Sequence, residues 1–566
     1  MTNFQIDPIQ IEIISNGLRS IADETYVALM KSAYSTNIKE RHDHSTAIMD
    51  MRGRLVAQAD NSLPIHLGSM KGLLEVLLAK HALSDMNEGD IFAANDPFVA
   101  GGTHLPDVNL AMPVFENGEV LCFVCNIAHH ADIGGMAPGS MAGGMHEIYQ
   151  EGLRIPVVRL FRRGELDTDL LDIFLLNARL PEERRGDYFA QIAACRLGAR
   201  RFSELCTRYG ASILRTAFDE IIIRTELRLR DALKRIAPGT YSFTDVMDDD
   251  GLGTVNIPIT VSIHVPQSDE HQIRFDFTGS SPQVRGNINM TINATRAAVF
   301  YTIKSLVDPD LPNNQGLMNV VEIIAPAGTI TNAVFPAAVA ARANTCQRVV
   351  DVILGALADA LPDAVVGAAN GANTTAVFSG HDSKRGRDYL YLETLGGGFG
   401  GRAAKDGTDG VQVHITNTSN LPVESIEAEF PLLVEEYSLI RDSGGAGRQR
   451  GGLGIRRIIR PIGHTATFNG QGERFANPPW GIFGGKSGAC GSFRLVDSKG
   501  ESQLLPIKPA GIALTPESSI VIETPGAGGY GSPEERLPDA VQADARSLKF
   551  SEQFLKAAYG FEAPRK

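Results

Sequence analysis

One stretch of the sequence, residues 95–135, restricts the local fold more than any other part of the chain. It reads NDPFVAGGTHLPDVNLAMPVFENGEVLCFVCNIAHHADIGG and holds three of the 13 histidines together with three aspartates. Gly101-Gly102 and Pro106 exclude a regular helix here, because glycine frees the backbone and proline restrains the residue before it. We therefore predict a tight turn that carries His104 and Asp107.

A buried strand is predicted directly after this turn. Residues 120–125, VLCFVC, form a short apolar run flanked by turn residues, and the run leads into His129-His130. Neighbouring side chains of an extended segment point to opposite faces. We therefore expect only one of these two histidines to converge with His104 and Asp107.

Two imidazoles and one carboxylate form a ligand set that suits a divalent ion such as zinc, manganese or iron. Such a set leaves coordination positions open to water or substrate, which is typical of catalytic metals. The alternative is that His104 and His129 are buried structural histidines and that Asp107 caps the turn. The three residues by themselves leave both interpretations open.

Two further residues upstream are candidates for the same site. Asp43 stands at the head of a predicted strand, where it is either a metal ligand, a surface turn residue or a partner of Arg41. His66 introduces a predicted helix and is interpreted as a structural histidine at the helix entrance.

Charged residues downstream also have two interpretations each. Glu147 and Glu151 lie in a predicted loop, where either could act as general base for a metal-bound water, and the alternative is a salt bridge to Arg154. Arg342 and Arg348 begin a predicted helix, where they either clamp an anionic substrate or are ordinary surface arginines.

Long motifs occur in a fixed order along nearly the whole chain. They are NIKERHDHS, PIHLGSM, NDPFVAGGTHLPDV, HHADIGG, EIYQEGLRIP, ETLGGGFGGR, PLLVEEYSLIRDSGGAGRQRGGLG and GGYGSPEERLPDAV. In this order they resemble the B subunit of the hydantoinase/oxoprolinase family, of the N-methylhydantoinase B and caprolactamase beta subunit type. The large subunits of acetone and acetophenone carboxylases belong to the same family.

The resemblance implies a mononuclear metal held by His104, Asp107 and His129, to which Asp43 is sometimes added. It leaves open whether His130 or Asp132 contributes. It also implies a partner A subunit that binds ATP and Mg and phosphorylates the carbonyl of a small cyclic amide, in an A2B2 hetero-oligomer. This chain would then open the hydantoin, 5-oxoproline or lactam ring with a metal-activated water.

Two other functions remain as alternatives. The chain could be a subunit of an ATP-dependent ketone carboxylase, although carboxylase large subunits tend to be longer than this one. It could also be a non-catalytic scaffold on which the ATPase subunit docks. A metal enclosed by four protein ligands would support the scaffold, and an open position facing a cavity would support catalysis.

Two glycine-rich segments match nucleotide-binding motifs only in part. Residues 395–402, LGGGFGGR, lack the amphipathic helix that a dinucleotide fingerprint needs. Residues 480–487, WGIFGGKS, have Trp480 where a Walker loop has its first glycine, and no apolar strand precedes them. We therefore expect that the isolated chain does not bind ATP.

Charge and cysteine usage restrict the partners and the compartment. The net charge of −13 argues against a nucleic-acid partner, which would require clustered Lys and Arg. Six scattered cysteines and the absence of a basic and apolar leader predict a cytoplasmic protein without disulfides. Cys122 and Cys125 are expected to be core residues on opposite strand faces, and no window has the length of a membrane span.

The periodicities predict a multidomain α+β protein. Helices are expected from Asp7-Pro8 onward and over residues 67–83, 169–237, 294–307, 342–361 and 538–559, with antiparallel strands over residues 241–277. The expected divisions are a metal-site α/β domain at residues 1–165, a helical region at 166–237, an α+β domain at 238–390, a glycine-rich, mostly antiparallel β domain at 391–535 and a helical tail at 536–566.

Overall fold

The computed structural model describes residues 5–268 and 272–562, and within them the chain is an α+β protein with four β-sheets. The predicted opening helix, the hairpin after it and the helical region that follows residue 168 are confirmed. The predicted C-terminal helix is helical but divided into two helices. The predicted tail extends to residue 566 and the predicted strand region 241–277 includes residues 269–271, so parts of both lie outside the described residues.

A seven-stranded antiparallel sheet includes two strands from residues 95–135. Its strands lie side by side in the order β2-β1-β5-β4-β3-β6-β7. The strands are β1 (His44–Asp50), β2 (Leu55–Gln58), β3 (Ile91–Ala94), β4 (Asp107–Glu116), β5 (Glu119–His129), β6 (Val158–Arg162) and β7 (Glu165–Leu166). The helices of this part are α1 (Pro8–Ser32), α2 (Thr36–Lys39), α3 (His66–Lys80), α4 (Thr168–Leu176), α5 (Pro181–Tyr209) and α6 (Ala211–Leu233).

The two faces of this sheet pack into different hydrophobic cores. Ile48 and Cys122 belong to the core formed with α1, α5 and α6, whereas Met49 and Cys125 belong to the core formed with α3 and the middle of the chain. This division follows from the alternation of side chains along a strand. Helices therefore cover both faces and enclose the ends of the central strands.

The middle of the chain adds a second sheet and a helix that reaches the site. In its strand order β11-β10-β9-β8, only the pair β10 and β11 is parallel. The elements are β8 (Gly239–Asp249), β9 (Val255–Val265), β10 (Ile273–Asp276), α7 (Ile292–Val307), α8 (Gln315–Asn319), β11 (Val321–Ile324) and α9 (Arg342–Ala356). Helix α7 packs against both α3 and α9, which joins this part to the seven-stranded sheet.

Two antiparallel sheets form the C-terminal part, with strand orders β13-β12-β16-β19 and β14-β15-β20-β17-β18. Their strands are β12 (Thr374–Asp382), β13 (Arg387–Leu395), β14 (Leu432–Leu439), β15 (Ile455–Pro461), β16 (Ala466–Gln471), β17 (Ser492–Val496), β18 (Ser502–Leu504), β19 (Ile512–Leu514) and β20 (Ser519–Glu523). Three helices accompany them, α10 (Val423–Glu429), α11 (Pro538–Ser547) and α12 (Glu552–Tyr559).

The glycine-rich segments between these strands pack backbone against backbone. A Cβ atom at Gly400, within the LGGGFGGR segment, would lie 1.8 Å from the carbonyl oxygen of Gly367. Because any side chain would clash at that distance, the segment uses glycine for close packing.

Two helix boundaries differ from the expected ones. Helix α3 begins at His66 and ends at Lys80, and α9 ends at Ala356 and is followed by turns rather than continuing to residue 361. Pro362 explains the second difference in part, because proline disfavours a helical residue before it. None of the described helices combines the length and the hydropathy of a membrane span.

Candidate metal centre

Three ligand-type side chains meet where β4 and β5 lie side by side: His104, Asp107 and His129. Asp107 is the first residue of β4 and His129 the last of β5, and the two form a cross-strand pair. Side chains of such a pair lie close together on one face of the sheet. One ligand atom from each of the three residues lies within 4.8 Å of the others. Asp107 was expected in the turn, but it begins the strand.

The turn before His104 is held tightly against helix α3. Gly101 has a φ of +74°, and a Cβ atom added there would lie 2.1 Å from the backbone carbonyl carbon of Gly72. Glycine alone combines this backbone conformation with so close an approach. The contact between the two glycines therefore fixes the segment that leads into His104.

Asp107 is anchored through one of its two carboxylate oxygens. Its Oδ2 accepts hydrogen bonds from Arg342 Nη2 at 2.6 Å and from Thr103 Oγ1 at 3.2 Å. Its Oδ1 lies 3.0 Å from His104 Nε2 and 3.2 Å from His129 Nδ1. The carboxylate therefore has one oxygen fixed by the protein and the other facing both imidazoles.

The tautomer of His104 follows from its surroundings. Its Nδ1 lies 2.9 Å from the carbonyl oxygen of Ala340, which can only accept, so Nδ1 carries the proton. Nε2 then bears a lone pair that faces Asp107 Oδ1, and it is buried without a hydrogen-bond partner among the described residues. Two electron-rich atoms in this position repel each other unless a cation lies between them. The donor set and the orphaned Nε2 fit a divalent ion such as zinc, manganese or iron.

The electrostatics of the cluster favour protonation states that bind a cation. Burial, and then the charge of Arg342, lower the pKa of His104 to about 4, which leaves the imidazole neutral at pH 7. Burial opposes ionisation of Asp107, but the Arg342 guanidinium and the hydrogen bond from His129 outweigh it and hold the pKa of Asp107 well below its usual value. Neutral imidazole and ionised carboxylate are the forms that ligate metals.

Asp43 and His66 lie beside the three residues. His66 Nε2 is 3.8 Å from Asp43 Oδ1 and 3.7 Å from Asp107 Oδ1. Arg41, the other expected partner of Asp43, instead donates a hydrogen bond to Thr394 at 2.6 Å. His66 was interpreted as a structural histidine at a helix entrance; it is indeed the first residue of α3, but its imidazole faces the cluster.

These side chains line a small cavity. The space open to water-sized molecules is about 40 Å³, which leaves room for water beside the cluster. Its apolar wall is formed by Leu63, Ile65, Met141 and Ile415, and its polar wall by Arg342, Asn344, Asn373, Thr375, Thr394 and Thr416. The cavity thus gives the cluster an open side rather than a closed shell of protein ligands.

His130 and Asp132 point away from this cavity. His130 Nε2 lies 2.9 Å from Gln191 Oε1, and its ring packs against Tyr188 with 4.6 Å between ring centroids. Asp132 forms an ion pair with Arg179 at 2.8 Å. Neither residue joins His104, Asp107 and His129 in the cluster.

Glu147 and Glu151 are not among the residues that line the cavity. Glu147 precedes a single turn of 3-10 helix (Ile148–Gln150). Glu151 is fully buried, and its Oε1 accepts hydrogen bonds from the backbone N–H groups of Val339 at 2.6 Å and Ala340 at 2.8 Å. Burial raises the pKa of Glu151 to about 8. Through Ala340, Glu151 supports the carbonyl group that holds His104.

Two alternatives from the sequence are wrong. Arg154 pairs with Asp96 at 2.6 Å and not with either glutamate. Arg342 and Arg348 are buried, so they are not surface arginines. Arg348 lies in an ionic network with Asp245 at 3.4 Å, away from the cavity.

Sequence reasoning undervalued two residues of this site. Arg342 contacts Asp107 across 235 positions of the chain, and no local spacing indicates such a contact. For His66 the sequence does hold an indication of a role at the site, because this histidine lies in the PIHLGSM motif that carries part of the family resemblance.

Comparisons with known proteins agree over nearly the full length of the chain. The family model described as hydantoinase B/oxoprolinase matches residues 7–533. The chain is 38% identical over 560 residues to the uncharacterized protein MJ0963 of Methanocaldococcus jannaschii, covering 98% of this chain and 95% of that protein. It is 34% identical over 558 residues to a putative D-/L-hydantoinase subunit of Pseudomonas sp. strain NS671, covering 95% and 92% of the two chains.

A solved structure is also similar. The crystal structure of the ATP-dependent caprolactamase from Pseudomonas jessenii superposes with a TM-score of 0.93 at 29% sequence identity. The superposition covers 99% of this chain and 98% of that chain, so the similarity extends over the whole α+β arrangement.

Proposed function

The chain belongs to the hydantoinase B/oxoprolinase family, and we propose that it is the hydrolytic subunit of an ATP-dependent enzyme that opens cyclic amides. The proposed substrates are hydantoins, 5-oxoproline or lactams. The names of full-length relatives support this class, since they include a putative hydantoinase subunit and an ATP-dependent caprolactamase.

One observation carries the proposal. His104 Nε2 is buried, bears a lone pair and faces Asp107 Oδ1 at 3.0 Å, with His129 beside the same oxygen. This arrangement has a physical explanation if a divalent ion occupies the space between the three residues. Zinc, manganese and iron all suit the two imidazoles and the carboxylate.

When bound, such an ion lowers the pKa of water from about 15.7 to about 7 and so makes a strong nucleophile available at neutral pH. The residues of the chain position the ligands. Arg342 and Thr103 hold Asp107, and the carbonyl group of Ala340 holds the imidazole of His104.

The residues around the ligands have different proposed roles. Asp43 and His66 border the cavity, and we propose that one of them accepts a proton from the attacking water. Glu151 supports Ala340 from outside the cavity, and we assign it a positioning role rather than that of general base. Glu147 does not line the cavity, and it takes no part in the hydrogen bond between Glu151 and Ala340.

The proposed enzyme divides two tasks between two subunits. An unstrained amide is a poor electrophile, so its hydrolysis gains from a separate activation of the carbonyl. An A subunit would bind ATP and Mg and phosphorylate the carbonyl oxygen, and this chain would bind and open the activated ring. We propose an A2B2 hetero-oligomer in the cytoplasm, in line with the word subunit in the name of the hydantoinase relative.

Metal analysis of variants tests the assignment of the site. We expect about one divalent ion per chain in the purified protein and a loss of most of it in His104→Ala and Asp107→Ala. His146→Ala is the matched control, because this histidine is exposed and remote from the cluster. Full metal content in both site variants would overturn the ligand assignment.

Turnover assays test the reaction. Copurified A and B subunits should open at least one ring among hydantoins, 5-oxoproline and larger lactams, and only with ATP. Incorporation of bicarbonate carbon into a ketone without any ring opening would instead support the carboxylase alternative.

A further inference from the structure

Two asparagine side chains on the polar wall of the cavity have unused hydrogen-bond donors. Asn344 and Asn373 are 2% and 8% exposed, and both line the cavity that contains the candidate metal ligands. The Nδ2 group of neither residue donates a hydrogen bond to any part of the chain that the structure describes. Neither Nδ2 atom is among the fully buried unpaired atoms of the described residues, so both groups reach the cavity, where a bound molecule can accept their hydrogen bonds.

The surrounding hydrogen bonds fix which end of each amide faces the cavity. Gln347 Nε2 donates to the carbonyl oxygen of Val413 at 3.0 Å, which orients the Gln347 amide, and it also donates to Asn373 Oδ1 at 2.8 Å. The backbone N–H of Asn373 donates to Asn344 Oδ1 at 2.9 Å. Both Oδ1 atoms are therefore bound to the protein, and both Nδ2 groups are left for the cavity.

The same wall carries additional positive character. Asn344 lies in the first turn of the 15-residue helix α9, whose N-terminus has no side-chain cap and lines the cavity. The N-terminal end of a helix attracts anions. Arg342 uses Nη2 and Nε for Asp107 and Thr103, and its Nη1 donates no hydrogen bond within the described residues.

These groups together are suited to an oxyanion. The unused groups of Asn344, Asn373 and Arg342 are all N–H donors, and the guanidinium group is always charged. The space of about 40 Å³ is small, which suits a compact group with several oxygens. The acidic residues at the cavity, Asp43 and Asp107, lie beside the histidines, and the charge of Asp107 is paired with Arg342.

We propose that Asn344, Asn373 and the first turn of α9 form an oxyanion subsite that receives the phosphoryl group of the activated amide. The subsite would hold the phosphoryl oxygens so that the reacting carbon lies near His104, Asp107 and His129. The identity of the ligand rests on the proposed function, but binding at the subsite can be measured without turnover.

Isosteric variants test the subsite with inorganic phosphate as the probe. In Asn344→Asp and Asn373→Asp, Oδ1 still accepts its present hydrogen bond, while a carboxylate oxygen that repels anions replaces Nδ2. An aspartate in the first turn of a helix does not weaken the helix. Asn16→Asp is the matched control, because it adds the same charge at an exposed position of α1.

Calorimetric titration of the full chain with phosphate gives the readout, in zinc-loaded and in chelator-treated samples. We expect wild type and Asn16→Asp to bind phosphate equally, and both cavity variants to bind it at least tenfold more weakly in both samples. Unchanged affinity in the two folded cavity variants, or no phosphate binding by wild type in either sample, would overturn the proposal. If an aspartate variant fails to fold, Asn344→Ser and Asn373→Ser remove the donor without adding charge and should also lower the affinity.

Acetate distinguishes the two possible sources of the oxyanion. We expect acetate to bind much more weakly than phosphate. Acetate that binds as tightly, and is lost in the same variants, would show that the subsite recognises a carboxylate of the substrate and would overturn the phosphoryl assignment.

The test also separates this inference from the proposed function. If phosphate binding follows the expectations and the copurified complex opens no cyclic amide, the reaction is misassigned and the subsite stands. If the complex opens rings and the folded variants keep full phosphate affinity, the subsite is wrong and the reaction stands.

Discussion

Arg342, the first residue of α9, donates a hydrogen bond of 2.6 Å to Asp107, the first residue of β4. The bond joins the middle of the chain to the strand pair that carries the candidate ligands. It occupies Oδ2 and leaves Oδ1 facing His104 and His129. Ala340, two residues before Arg342, holds His104, so one helix N-terminus orients two of the three ligands.

Arg342→Lys should weaken metal binding. A lysine is a point charge and cannot hold Asp107 and Thr103 together as the planar guanidinium does. Loss of such support for a ligand typically costs roughly 10- to 100-fold in metal affinity. Competition with a chromophoric chelator measures the affinity. Arg385→Lys is the control because its guanidinium is at the surface, and equal affinities in all three proteins would contradict the role given to Arg342.

Gly101→Ala should destabilise the protein more than Gly118→Ala. Both glycines have positive φ, +74° and +81°, but only at Gly101 would the added Cβ meet the backbone of Gly72, at 2.1 Å. Gly118→Ala should therefore cost about 1 kcal/mol from backbone conformation alone, and Gly101→Ala about 1–3 kcal/mol more from overpacking. Thermal denaturation and metal content give the comparison. Equal Tm losses would show that the contact with Gly72 is unimportant.

The sequence predicted the cluster because its signals are local. Gly101-Gly102 and Pro106 indicate the turn, and the alternation along β5 separates His129 from His130. The contacts that complete the site are not local, since Arg342, Asn344 and Asn373 reach it only through tertiary packing of α9.

The elements were predictable for the same reason. Helices such as α1 have caps and apolar periodicity of their own.

Glu151 shows a limit of sequence reasoning. It was expected at the site or paired with Arg154, but its partners are two backbone N–H groups almost 190 residues later in the chain. Backbone partners leave no pattern of residue types, so no sequence signal identifies them.

Glu151→Gln should change how stability depends on pH. Burial raises the pKa of Glu151 from 4.5 to about 8, so the folded protein keeps a proton that the unfolded chain has lost between these values. Stability from this group is therefore present at low pH and is lost as pH rises through this window, by at most about 1.4 kcal/mol per pH unit. Glutamine stays neutral throughout. Relative to Glu151→Gln, the Tm of wild type should fall between about pH 4.5 and about pH 8. Parallel Tm curves would contradict the buried, protonated state.

The central claim is that this chain performs ring opening through a metal held by Asp107, and one variant tests it most directly. Asp107→Asn nearly keeps the volume of the side chain but removes the charge that helps to hold the ion. Phosphate release and ring-opened product are measured in parallel, in a complex with the A subunit that size-exclusion chromatography shows to be intact. We predict almost no ring-opened product from the variant, with slow substrate-stimulated phosphate release continuing. Near-normal product from an intact, metal-free complex would contradict the account, and loss of assembly together with both activities would support a scaffold instead.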